Sequence, residues 1–168
     1  MATTTKTATT SVEKEELKLD TKVTLRNIAG WDVYFDRVVE GVGTVRITPN
    51  GSTRLSRGEI IAQVQNGNKL IAGIDGLGSH ATVYIDDEPT RKDLGFDKED
   101  GTPQNMLTDD KIIKIFGIKQ QDRFEAVFKE EILTRAEQYA TIQAVQRLGI
   151  NDYAKIRFAE RETGYTIA

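Results

Sequence analysis

The sequence predicts an α+β protein, with a small β-rich part followed by a compact helical part. Three observations carry this. Apolar residues alternate with period 2 between Thr21 and Asp87, they recur at helical spacing beyond Met106, and the charged, Gly- and Pro-containing stretch "DKEDGTP" separates the two patterns. The expected organisation is a threonine-rich arm at 1–19, a β-rich domain with one inserted short helix at 20–96, a linker at 97–103 and a helical domain at 104–168.

The arm opens "MATTTKTATT", in which six of ten residues are threonine. Apolar residues enter only at Val12, Leu17 and Leu19, too few to offset the entropy of ordering the segment alone. Those three are the expected contacts of the arm with a partner.

In "KVTLRNI", Val23 and Leu25 share one face of a strand. In "WDVYFDRV", Val33 and Phe35 oppose Tyr34 and Asp36, and in "GTVRITP", Val45 and Ile47 oppose Arg46 and Thr48. Pro49-Asn50-Gly51 reads as a turn. The run "SRGEIIAQVQNGN" then begins with Ser56 and Glu59 at capping-box spacing and ends with the helix stop Asn66-Gly67. Two further strands are expected at "KLIAGI" and "HATVYIDD". Tyr34 and Tyr84 fall on the polar faces of their strands and are therefore candidate interface aromatics.

The second half predicts four short helices. Thr108 caps "DDKIIKIFG", whose acidic first turn suits the helix dipole. Phe124, Val127, Phe128 and Ile132 form one stripe. Thr134 and Glu137 make a capping box before "AEQYATIQAVQRLG", and Asn151 is placed to cap "DYAKIRFAERET", which stops at Gly164.

Composition excludes several chemistries. There are no cysteines, so disulfides and thiolate catalysis are ruled out. No apolar run approaches the roughly 20 residues of a membrane span, and the start lacks the apolar core of a secretory signal; the chain is expected to be soluble and made where it is used. The net charge is −3, and residues 104–168 hold ten basic and ten acidic side chains. A strongly basic face, the usual electrostatic footprint of a nucleic-acid binder, is therefore absent.

Individual motifs are weak. His80 is the only histidine, and a lone histidine opening a strand reads as a surface or packing residue. "GIDGLGSH" lacks the spacing and the Lys-Ser/Thr pair of a phosphate loop and reads as a turn. The acidic clusters Asp86-Asp87-Glu88 and Asp97-Glu99-Asp100 lack the ligand spacing of a calcium loop. The helical pair 135–162 is a candidate DNA reader through Arg157 and Arg161, but Asp152, Glu160 and Glu162 share the second helix. The sequence thus assigns no catalytic, cofactor-binding or metal-binding residue and leads to the expectation of a non-enzyme.

The phrases "VTLRNIAGWDVYF", "RLSRGEIIAQVQNGN" and "ATVYIDDEPTRKDLGF", followed by "MLTDDKIIKIFGIKQQDRFEAVFKEEI" and "INDYAKIRFAERETGY", give the chain a layout over about 22–168. It resembles small accessory proteins of tailed bacteriophages encoded among the head genes. "LSRGEI" and "INDYAKI…ETGY" carry the likeness most directly. The resemblance implies a virion structural protein, a decoration or head-completion component. Its partners would be the major capsid protein, another virion protein or further copies of itself, with no membrane and no cofactor. The location it implies is the virion, assembled in the host cytoplasm. The alternative from another class is a nucleic-acid-binding regulator using 135–162.

Overall fold

The structure, a computed structural model, describes residues 16–168. Two hydrophobic cores sit side by side, and one helix serves both. The first is built by strands β1 (Lys22–Asn27), β2 (Val33–Asp36), β3 (Thr44–Ile47), β4 (Ser52–Ser56) and β5 (Val83–Ile85), with helices α1 (Arg57–Gln65), α2 (Lys69–Ala72) and α3 (Glu88–Asp93). The second is built by α4 (Asp109–Phe116), α5 (Gln121–Glu131), α6 (Arg135–Arg147) and α7 (Tyr153–Thr163). The α+β expectation holds.

Strands β4, β1 and β5 form an antiparallel sheet with β1 central, and β2 and β3 form a separate hairpin. Val23 faces Leu55, Leu25 faces Ile85, and Phe35 faces Val45 across these ladders. The alternation seen in the sequence is realised: Val23, Leu25, Val45, Ile47 and Ile85 are all buried in the first core.

One strand expectation is corrected and another shortened, since β5 keeps only Val83–Ile85 of "HATVYIDD". "KLIAGI" is not a strand, because Asn68 caps a single helical turn through Leu70 N–H, and Gly73, at a φ of 72°, ends it. Asp87 caps the short helix α3 by accepting from Thr90 N–H at 3.1 Å, with Pro89 in its first turn. The β-rich half therefore holds three helices rather than one. Strand β4 follows the Pro49–Gly51 turn and pairs with β1, a partner 30 or so residues away that local pattern does not reveal.

In the helical half the stripe becomes an aromatic cluster. Phe124 touches Phe116, Phe128 and Phe158, with ring centroids 5.0–5.8 Å apart and tilted or edge-on. Thr108 and Thr134 cap as expected, the latter within a complete capping box. The last helix is capped by Asp152 rather than Asn151, its side chain accepting from Lys155 N–H at 3.3 Å. Lys155, itself buried, donates to the Phe116 carbonyl at 2.7 Å and so closes the end of α4.

Helix α6 joins the halves. Ala136 packs in the first core, and Ile142, Ala144 and Val145 in the second. Tyr139 lies edge-on to Trp31 and presses so closely on Gly30 that a Cβ there would run into its ring. Leu107 N–H donates to the Tyr84 hydroxyl at 2.8 Å. Tyr84 is thus not an exposed interface aromatic: only 3% of its surface is accessible. The polar face of β5 is covered because the helical half docks on it, and burial pushes the Tyr84 phenol up to about 12.

Candidate partner-docking surface

The first turn of α1 organises the N-terminal segment and the β2–β3 hairpin together. It falls in "LSRGEI", and each residue of that phrase has a separate task. Leu55 and Ile60 are buried in the core. Ser56 is the N-cap, its hydroxyl accepting from Glu59 N–H at 3.1 Å. Arg57 N–H donates to Thr21 C=O at 2.9 Å and Gly58 N–H to Leu19 C=O at 2.8 Å, so two amides that a helix start leaves open are closed by the incoming chain. The buried Arg57 guanidinium donates to Lys18 C=O at 2.8 Å, to the Thr90 hydroxyl at 2.9 Å and to Asp87 at 3.1 Å. The end of the expected arm is therefore part of the body.

Glu59 departs from its expected capping role. Instead of turning back to Ser56, its fully buried carboxylate accepts from the amides of Val38, Val39 and Glu40 at 2.6, 2.7 and 3.0 Å, and from Gln63 Nε2 at 3.0 Å. Successive backbone N–H groups pointing one way make a concave anion site, and three of them outcompete one cap amide. The vacated Ser56 N–H donates to Glu40 at 3.2 Å, and Lys22 pairs with the same Glu40 carboxylate. Hairpin and helix thus clasp each other through two carboxylates. Burial works to raise the Glu59 carboxyl, but the Val39, Val38, Gln63 and Glu40 donors together hold it below the ordinary carboxylate range. The Lys22 ammonium and the Ser56 amide hold Glu40 down likewise.

What the clasp presents is apolar. Val38 and Val39 are exposed, the latter by 61%, and Val42 at the tip is 100% exposed. Leu19, 59% exposed, leaves the same helical turn on the chain's incoming side, where its carbonyl accepts from Gly58 N–H. Leu17 is half-buried and lines a groove of about 820 Å³ with Leu19, Pro89 and Lys92. Val12 lies outside the described residues. Tyr34 is exposed on the hairpin, its hydroxyl donating to Asp32 at 3.2 Å. The three valines escaped the sequence reading, although two valines running into "EGVG" between strands are an apolar signal where a polar turn is the rule.

The remaining candidates disperse into structural tasks. His80 Nδ1 lies 2.9 Å from the buried Glu137 carboxylate, which also accepts from Thr134 N–H, so the pair ties the two halves together. In "GIDGLGSH", Asp75 accepts from Leu77 and Ser79 N–H, as a turn does. Asp87 caps α3 and pairs with Arg57, Glu88 pairs with Lys92, Asp97 pairs with Arg91, and Asp100 accepts from Thr102 N–H. Among the described residues no three His, Asp or Glu side chains converge as a metal set. On α7, Arg157 is held by Tyr153 and Glu160. Among the described residues, no helix is long and apolar enough to cross a membrane.

Comparison with known proteins adds no relative: no family model matches this chain, and no curated protein or solved structure matches it.

Proposed function

We propose that this chain is a non-enzymatic structural protein of a tailed-phage particle, an accessory component that seats on the head shell through its N-terminal segment and hairpin tip. One observation carries the reading: a single helical turn fixes both the incoming chain and the hairpin while leaving Leu19, Val38, Val39 and Val42 in solvent. Burying a valine or leucine contributes about 1.5 kcal/mol or more, so a folded chain that pins apolar side chains outward forgoes several such gains until a partner covers them. The major capsid protein is the first partner to test, and arms of the "MATTTKTATT" kind gain order by lying along a neighbour's surface.

The test is co-sedimentation with purified head shells of the same phage. Removal of residues 2–15, which keeps the Lys18 and Leu19 carbonyls in place, and the pair Val39→Asp with Val42→Asp should each abolish sedimentation while the thermal transition stays unchanged. Wild-type binding by both variants would sink the proposal.

A further inference from the structure

We infer that the outer edge of β3 is a strand-acceptor site and that its occupant is the threonine-rich segment 2–12 of a second copy of this chain. The ladder geometry identifies the edge. Arg37 N–H donates to Gly43 C=O at 2.9 Å, which makes 37/43 a hydrogen-bonded pair. By alternation the register then makes Phe35/Val45 and Val33/Ile47 hydrogen-bonded pairs and turns the backbone groups of Thr44 and Arg46 away from β2. The same rule turns Asp36 outward on β2, and the Asp36 carbonyl indeed accepts from Gln63 at 2.7 Å.

The other edges each carry a side-chain clip. Gln63 closes β2 at Asp36, Glu40 takes the outward amide of β4 at Ser56, and Arg91 donates to the outward carbonyl of β5 at Ile85 at 2.8 Å. Among the described residues, nothing bonds the outward backbone of Thr44 or Arg46. Both side chains are exposed, while Val45 and Ile47 anchor the strand in the core. Exposed edges are normally blunted, and a two-stranded hairpin is short of the three strands that make a sheet independently stable. An added strand would complete both.

The chain itself supplies a matching strand. Residues 2–12, "ATTTKTATTSV", hold six threonines and a valine, no proline or glycine, and one charge at Lys6. Threonine suits a pleated surface and pairs with threonine across strands. The anchor at Lys18–Thr21 leaves the fifteen residues before Glu16 a reach of about 50 Å, enough for an adjacent copy. This inference rests on the reading of the arm as a contact segment. It does not depend on which particle is involved.

The experiment is sedimentation velocity over a concentration series, with amide exchange on the same samples. The full chain should self-associate, and its Thr44 and Arg46 amides should exchange about tenfold more slowly than in the chain lacking 2–15. Arg46→Pro, which removes an outward N–H and spares the hairpin ladder, should abolish association. A synthetic peptide of residues 2–12 should bind the shortened chain, and the same peptide with Thr5→Pro and Thr9→Pro should not, which decides the matter even if Arg46→Pro fails to fold. A full chain that stays monomeric at every concentration, or peptide binding indifferent to proline, would overturn the inference. A full chain that self-associates but does not sediment with head shells would count against the particle reading alone.

Discussion

The two halves of this protein share locally capped helices but differ in the bonds added to them. In the helical half, each helix but α5 receives its side-chain cap from a residue at its own start, Thr108, Thr134 and Asp152, and the core is centred on four phenylalanines. In the β-rich half, the decisive bonds join residues far apart in the chain: Glu59 to 38–40, Arg57 to Lys18, Asp87 and Thr90, and Asn27 to Ile47 and Thr48. The lesson is that local caps and core packing suffice where packing is helical, whereas buried side chains reaching distant backbone N–H and C=O groups secure the structure where loops must be presented. The hairpin loop is also where Val38, Val39 and Val42 stand together in solvent.

That contrast can be broken from either side. Phe124→Ala, which empties the centre of the aromatic cluster, should cost the most, about 4 kcal/mol, read as a lowered midpoint of denaturant unfolding. Glu59→Gln should cost about 2 kcal/mol, since the amide cannot accept from all three loop N–H groups. In contrast with Phe124→Ala, it should release the amides of 38–40 to rapid exchange.

The same residue sharpens the comparison through pH. Because the Glu59 carboxyl is held below its ordinary value of 4.5, the unfolded chain binds the proton first as pH falls. Stability from the clasp is fully present above about that value and is lost as pH drops through the lower folded value. Urea titrations below pH 4.5 should show a steeper loss for wild type than for Glu59→Gln. Matching slopes would mean that the clasp contributes nothing to the acid limb.

Thr134→Ala removes one local cap and should cost about 1 kcal/mol. The smallest effect belongs to Val42→Asp: a fully exposed side chain should leave stability within about 0.5 kcal/mol of wild type while weakening shell binding. A stability loss above 1 kcal/mol there would show that the tip already has a partner within the chain.

Much of this molecule was legible in its sequence. Period and capping placed the four helices of the second half, and alternation placed β1, β2, β3 and β5 with their inward faces. These are properties that neighbours within four residues decide. The phrase "LSRGEI" and the residues Leu17 and Leu19 lay at the site, but the valines that face solvent beside them did not stand out, because nothing local says that a buried glutamate will pin their loop.

The tertiary structure alone decided the rest. Tyr84 went inside because the helical half covers β5, and Glu59 left its own helix start for a nest of amides on a hairpin some twenty residues earlier. Sequence pattern fixes which face of an element is apolar; which neighbour covers that face, and which buried charge finds which amides, depends on contacts between residues that only the folded chain brings together.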